Sequence, residues 1–457
     1  MLFSMRECTN MEQSDMKNYR IIYQSYDVKD PSKIITQKTL LEDNITAPTN
    51  CFDISMGLGK QIELVQTSQD AVIFEKIETL QQTKTGCSKC DGELIKFGNQ
   101  YSTLYDVFTD HKVKIQRLKC NACGYESPST IRRLINTTQS GDLKKIQTTL
   151  GANFTYRESE DILKLFSMSS RDINNHDRIK HVTEAVGNKI ADINESEKDV
   201  LVAEEAKELI LNVDGGHINT VEKQRSMEAM TSVIYRPEAI RSNSKDTRNY
   251  LTSKSCAASV RDDNQEQIIS STIIAGLKQG LSNKTHVTAL CDGAANCWSV
   301  AESLRPLCKD MTCILDWFHL SMKIQNIALP EKLKTKLIRI KWHLWRGNTK
   351  NALSRLNELL ETIKDDKNNK KIFKLINYIR NNQNKIINYR ERKKSGLVFT
   401  SQLAESTVES LINRRCKGQQ HMRWSREGLN PILQLRAAIS SKTDWATKWK
   451  DAILNAA

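Results

Sequence analysis

The chain has 457 residues, too many for one ordinary core, and at roughly 100–200 residues per domain it predicts three or four units. Its 68 Lys and Arg against 54 Asp and Glu leave a net charge of +14, which disfavours a cationic partner and suits a polyanion such as a nucleic-acid backbone. No basic segment followed by an apolar core opens the chain, and no stretch reaches the roughly 18 apolar residues of a membrane span, so the expectation is a soluble, intracellular protein with no membrane partner.

Residues 1–82 are polar and mixed, with weak helical periodicity from Asp70 to Leu80 and no motif that assigns a role. Residues 83–128 carry Cys87-Ser-Lys-Cys90 and Cys120-Asn-Ala-Cys123, and each C-x-x-C pair can offer two thiolates to one side of a tetrahedral ion. Asp91-Gly92 and Gly124 supply tight turns after the pairs, and the alternation in Val113-Lys-Ile-Gln-Arg-Leu suits a β-hairpin between them. The module predicted is a zinc ribbon with Cys87, Cys90, Cys120 and Cys123 holding a structural Zn²⁺; a redox site would need only one pair. The remaining cysteines, Cys8, Cys51, Cys256, Cys291, Cys297, Cys308, Cys313 and Cys416, have no such pairing and are read as packing residues in a reducing compartment.

Residues 129–200 predict short helices broken by turns, in the manner of a helix-turn-helix, with a plain helical bundle as the alternative. Ser170 is placed to cap a recognition helix whose Arg171, Arg178 and Lys180 would contact DNA. From about residue 201 the texture changes. Leu209–Val213, Thr231–Tyr235 and Ser255–Val260 read as strands, Ile268–Leu281 as a helix, Val287–Cys291 as a strand, Trp298–Leu307 as a helix and Met311–Leu315 as a strand, giving the order β-β-β-α-β-α-β. Residues 323–395 turn wholly helical and dense in Lys and Arg, as an insertion whose basic faces either contact phosphates or are merely solvated. A last helical stretch, Ala404–Arg415, follows, so that residues 201–322 and 396–445 form one domain and 446–457 a tail.

Asp214 and Asp292 each follow a predicted strand and precede glycine. Where strands run parallel their carboxyl ends share one edge, so two such carboxylates can meet, and glycine beyond each lets the backbone turn and leaves room for a ligand. The bland alternative for each is an ordinary turn or cap. A third carboxylate, Glu405 or Glu409, lies in the later helix. Two Asp and one Glu suffice for Mg²⁺ or Mn²⁺, whose coordination is completed by water and substrate phosphate, in the two-ion arrangement that serves in-line displacement at phosphorus. Asp316 and His319, after another strand, are open between a helix cap with a core histidine and a supporting role beside the carboxylates.

The segments Asn212-Val-Asp-Gly-Gly, Cys291-Asp-Gly-Ala-Ala-Asn-Cys-Trp298, Leu315-Asp-Trp-Phe-His319, Ala404-Glu-Ser, His421-Met-Arg-Trp-Ser and Leu435-Arg-Ala resemble the bacterial insertion-sequence DDE transposases distantly related to the Mutator group. The resemblance runs from about Cys87 to Trp445 and implies a multidomain α+β chain. In it an RNase H-like α/β catalytic core with an all-helical insertion follows a zinc ribbon and a helical DNA-binding module. It further implies Asp214, Asp292 and Glu405 as the catalytic triad, Asp316 and His319 as an accessory D-x-x-H pair, and Glu405 rather than Glu409 because Ser401-Gln-Leu-Ala-Glu-Ser matches the family segment. The partners implied are double-stranded transposon terminal inverted repeats and target DNA, bound by a homo-oligomer in the cytoplasm on the bacterial nucleoid. Gln402 replaces a glycine usual in that segment, which is the feature favouring a catalytically inactive DNA-binding regulator. A nuclease that cleaves without joining is the second alternative.

Overall fold

The computed structural model describes residues 17–82, 86–129, 137–167, 170–196, 204–223, 225–242, 249–363, 365–417, 422–441 and 443–455. By contacts the chain divides into two units, Met1–Gln147 with Arg157–Arg178, and Thr148–Tyr156 with Ile179–Ala457. Among the described residues no helix is long and apolar enough to cross a membrane.

In the first unit, the stretch with no motif begins with an antiparallel hairpin, β1 (Lys17–Tyr26) and β2 (Ile34–Ile45). Its connection is held by Asx turns, with Asp27 Oδ1 accepting from Lys29 N at 2.9 Å and Asp30 Oδ1 from Ser32 N at 3.1 Å. Helix α1 (Leu58–Gln81) follows and buries Ala71 and Ile77, so the weak periodicity at Asp70 to Leu80 marks the last part of a longer helix. Strands β3 (Leu94–Tyr105), β4 (Asp110–Cys120) and β5 (Glu126–Ser127) make an antiparallel sheet in the order 3-4-5. His111, buried on β4, bonds Asp70 of α1 at 2.7 Å and the Thr109 hydroxyl at 3.1 Å.

The helical stretch holds α2 (Gly141–Asn153), α3 (Tyr156–Ser167) and α4 (His176–Ser196), and the division between units falls inside each of the three. The cap of α4 is Asn175, whose side-chain oxygen accepts from Arg178 N at 2.8 Å, and not Ser170. An amide one residue before the helix meets the free N–H groups of its first turn, whereas Ser170 lies before an intervening 3₁₀ turn, Asp172–Asn174.

The second unit is built on a mixed five-stranded sheet. Its strands are β6 (Glu208–Asn219), β7 (Ser226–Tyr235), β10 (Ser255–Ser259), β11 (His286–Cys291) and β12 (Asp310–Leu315), with a small hairpin, β8 (Ile240–Ser242) and β9 (Asn249–Leu251), set between β7 and β10. The spatial order is β10-β7-β6-β11-β12, with β7 antiparallel to both β6 and β10, and β6, β11 and β12 parallel. Leu209 to Val213 and Val287 to Cys291 are buried without alternation, as expected of central strands covered on both faces.

Helices α5 (Glu266–Lys278) and α6 (Ala295–Glu302) connect strands of the sheet, and α7 (Trp317–Gln325) follows its last strand. Helices α8 (Glu331–Trp345), α9 (Thr349–Thr362), α10 (Asp366–Asn381) and α11 (Tyr389–Lys394) form the predicted insertion. Their apolar stripes, including Leu337, Ile340, Leu356, Ile372 and Ile379, join the same core as the sheet. The chain then returns through α12 (Gln402–Val408), a π-helical turn (Glu409–Asn413), α13 (Arg426–Ser440) and α14 (Thr443–Asn455).

Candidate metal centre

The parallel register fixes where the acidic groups fall. Val213 of β6 pairs with Cys291 of β11, and Cys291 pairs with Leu315 of β12, so the three strands are level at these residues. Asp214, Asp292 and Asp316 are each the next residue along the chain, and the sheet therefore delivers all three to one edge. For Asp214 the local reading needs correction. It does not end its strand: β6 continues through Gly215 and Gly216 to Asn219, paired with β7, and Asp214 faces Thr231. The glycines provide close approach instead of a turn. A Cβ on Gly215 would lie 2.8 Å from Glu228 Oε1, and one on Gly216 3.1 Å from Lys417 Nζ. Gly293 does turn the chain, with φ +96°, and a Cβ there would lie 2.7 Å from Tyr378 Cε2.

Asp214, Asp292 and His319 place one potential ligand atom each within 4.8 Å of one another, and all three are half-buried. Burial pushes the Asp214 carboxyl above its ordinary range; His319 opposes this and the neighbouring Asp292 charge adds to it. Asp292 Oδ1 also accepts from Ala294 N at 2.9 Å, which fixes the start of the loop into α6. Two carboxylates and an imidazole at this separation form a donor set for a divalent cation.

Asp316 stands apart from that set. It is 1% exposed and caps α7 by accepting from Phe318 N at 3.2 Å and His319 N at 3.3 Å. The same carboxylate accepts from Ser401 N at 2.8 Å and Ser401 Oγ at 2.7 Å. The cap reading of Asp316 therefore holds, and the cap has a second function: one buried carboxylate fixes both the turn that carries His319 and the segment entering α12. His319 separates from its motif partner and joins the aspartates.

The backbone of Glu405 lies in α12, but its side chain lies outside the described residues, as does His421. Glu409 is exposed and opens the π-helical turn. A π turn leaves carbonyls without their usual partners. Buried Arg436 of α13 donates to those of Leu411, at 2.8 Å, and Ser410, while burial lowers its guanidinium to about 10. Trp424 donates from Nε1 to the Cys416 carbonyl at 3.3 Å, and its own carbonyl accepts from Thr220 Oγ1 at 2.8 Å, joining the end of β6 to the region after α12.

The insertion contributes contacts that no local motif announces. The Tyr378 hydroxyl donates to the Asp292 carbonyl at 2.5 Å, the Tyr389 hydroxyl to the Leu315 carbonyl at 2.7 Å, and Trp298 Nε1 to Asn382 Oδ1 at 3.0 Å. Each links a helix of the insertion to a strand end or to α6. Ser401, Tyr378, Tyr389 and Asn382 were not singled out from sequence as site groups, and only an aromatic or amide at helical spacing marks the last three.

In the first unit Cys87, Cys90, Cys120 and Cys123 converge with their sulfurs within 4.8 Å of one another. Cys87 and Cys123 are 3.8 Å apart and Cys90 and Cys120 3.5 Å, close to the ~3.8 Å edge of a tetrahedron with metal–sulfur bonds of about 2.3 Å. The cluster can hold a structural metal such as zinc. Asp91 at φ 54° and Gly124 at φ 72° make the left-handed turns after each pair, and a Cβ on Gly92 would lie 3.0 Å from Cys120 Sγ. The Cys123 N–H directed at it brings the Cys120 thiol down to about 6. Among the other described cysteines Cys51 is exposed and is no packing residue, Cys308 and Cys313 are half-buried, and Cys256, Cys291, Cys297 and Cys416 are buried; Cys8 lies outside the described residues.

Of the side chains assigned to DNA, Arg178 and Lys180 are exposed, and Arg171 is not. Arg171 is 8% exposed, donates to Asp110 Oδ1 at 2.9 Å, and also donates to the carbonyls of Asp106, Val107 and Thr109. With its donors committed to the β3–β4 connection and the start of β4, it is a structural arginine.

A family model described as "Uncharacterised protein family (UPF0236)" matches residues 152–452. No curated protein matches the chain.

Proposed function

This chain belongs to the UPF0236 family, and we propose that it is a DNA transposase whose metal-dependent site cleaves transposon ends and joins them to target DNA. The observation that carries this reading is the meeting of Asp214, Asp292 and His319 at the carboxyl edge of parallel strands. The sheet order β10-β7-β6-β11-β12, with the first three strands antiparallel and the last two parallel to β6, supports an RNase H-like core. The donor set fits a divalent ion, and its imidazole favours Mn²⁺ over Mg²⁺. When bound, such ions supply Lewis-acid polarisation of the phosphoryl oxygen and lower the pKa of water.

In this reading Asp214 and Asp292 hold the charge of the site, and Glu405 from α12 is the third carboxylate. His319 is a ligand as well as an accessory group, and Asp316 is a positioning residue that sets His319 and the entry to α12. The first reaction is attack of water on the end phosphodiester, with the P–O3′ bond breaking to leave a 3′-hydroxyl. In the second, that hydroxyl attacks a target phosphodiester and the target's own 3′-oxygen leaves. The basic insertion, Arg178 and Lys180 would bind phosphates, and the four-cysteine cluster would hold structural Zn²⁺. Two ends must be held together, which implies an oligomer on DNA.

The test is cleavage and joining of labelled duplex carrying the sequence that flanks the gene, with the full chain in Mg²⁺ or Mn²⁺. Asp214→Ala, Asp292→Ala and Glu405→Ala should each lower both steps by at least about 10³-fold, with Glu409→Ala near wild type. Cleavage without joined products would make the protein a nuclease. Wild-type protein that binds the ends and never cuts them would end the catalytic reading.

A further inference from the structure

The amino-terminal stretch to which no motif gives a role lines a cavity of about 1020 Å³ between the β1–β2 hairpin, α1 and the β3–β4 hairpin. Four lysines border it: Lys38 from β2, Lys96 from β3, and Lys112 and Lys114 from β4. All four are exposed, and none has an ion-pair or hydrogen-bond partner among the described residues. Three of the carboxylates in the lining have hydrogen-bond partners: Asp70 with His111 at 2.7 Å, Glu75 with the Tyr23 hydroxyl at 3.0 Å, and Asp110 with Arg171 at 2.9 Å. Glu78 has no such partner among the described residues, and the charges are segregated: the four lysines stand on strands, while three of the four carboxylates, Asp70, Glu75 and Glu78, stand on α1.

Aromatic rings stand among these charges. Tyr101 is 77% exposed and pairs across the hairpin with Lys114, while Asn99 pairs with Gln116 on the same face. Phe74 of α1, on the facing wall, is 60% exposed. Lys112 and Lys114 are two residues apart on one strand, so their stems project from one face about 7 Å apart. Unpartnered lysines beside exposed rings, with amide side chains between them, combine phosphate neutralisation with surfaces on which bases can stack. A duplex keeps its bases stacked on one another and has no use for the rings.

We propose that this cavity binds single-stranded nucleic acid, with Lys38, Lys96, Lys112 and Lys114 on the phosphates and Tyr101 and Phe74 under the bases. Its residues all belong to the first unit, and the proposal does not depend on the catalytic reading.

The experiment uses the full chain and a fluorescein-labelled oligo-dT, with a duplex of equal length as comparison, followed by anisotropy over a range of salt. Tyr101→Ala and Phe74→Ala should each weaken oligo-dT binding by about 5- to 100-fold, leaving duplex binding within about twofold. Lys112→Gln with Lys114→Gln should flatten the log–log salt dependence for oligo-dT by about 1.4, at roughly 0.7 per phosphate contact. A 5-iodouracil oligonucleotide should crosslink under ultraviolet light to peptides containing Tyr101 or Phe74. Oligo-dT affinity and salt slope unchanged in these variants, or crosslinks confined to other peptides, would overturn the proposal. Equal loss of duplex and single-strand binding on Tyr101→Ala would overturn its preference for single strands.

Discussion

Burial and a neighbouring carboxylate hold a proton on Asp214 more firmly in the folded chain than in the unfolded one. A carboxyl whose folded pKa is raised binds its proton preferentially in the native state, so its contribution is fully present below the unfolded value near 3.8 and is lost as pH rises through the folded value. Above that, the metal-free protein carries a penalty for the buried charge. Asp214→Asn removes the charge and keeps the shape. Thermal melts followed by circular dichroism in chelator should show a higher midpoint for the variant at pH 7, with the difference shrinking towards pH 4. An unchanged midpoint at pH 7, or a gap independent of pH, would remove the electrostatic account. The two aspartates that meet His319 were legible because each follows an apolar run and precedes glycine. The different fates of Asp316 and His319 were not, since they depend on Ser401, 85 residues away. Arg171 was misread for a similar reason: an arginine near a helix looks available for DNA until its acidic partner, 61 residues earlier, is brought to it by the fold.

Periodicity carried the elements of the second unit, because buried strands and amphipathic helices there have strong apolar contrast. The β1–β2 hairpin shows why the first unit was harder. β2 is exposed along most of its length, and β1 alternates only between exposed and half-buried, with Ile22 and Tyr26 on the exposed side, so no fully buried apolar side marks them as strands. The insertion is a separate case: its helices were visible at three- and four-residue spacing, whereas its bracing of the sheet edge was not. Tyr378 reaches Asp292 from 86 residues away. The hydroxyl donates to the main-chain carbonyl and not to the carboxylate, so its effect is on position. Tyr378→Phe should cost about 1 kcal/mol of stability, the usual net value of one hydrogen bond. Under the proposed chemistry it should slow strand cleavage by about tenfold with end binding unchanged, because a small displacement of a ligand is amplified in rate. Single-turnover cleavage beside chemical denaturation separates the two effects. A rate equal to wild type, with the stability loss present, would reduce the tyrosine to a packing residue.

At the scale of the molecule, the two units have different sources of stability. The second has a large apolar core, running from Ala206 through the sheet and insertion to Ala437, and a smaller cluster around Val186, Ile190 and Leu435. The first offers fewer buried apolar side chains, among them Leu41, Ile77, Ile115 and Leu118, and Cys87 and Cys120 are buried as well. Small cores of that kind commonly depend on a crosslink or a metal. A structural zinc in such a cluster contributes an apparent ~10–16 kcal/mol, comparable with the ~5–15 kcal/mol total stability of an ordinary domain. Removal of the metal should therefore release the sheet around the cluster and spare the larger core. Hydrogen exchange read by mass spectrometry, before and after treatment with a thiol-reactive mercurial and chelator, should show protection lost in Leu94–Tyr105 and Asp110–Cys120 and kept in Glu208–Asn219 and His286–Cys291. Cys120→Ser should reproduce the same pattern without reagent. Protection of the two ribbon strands that survives both treatments would mean that the hairpin is held by its own packing and that the four thiols are not what stabilises it.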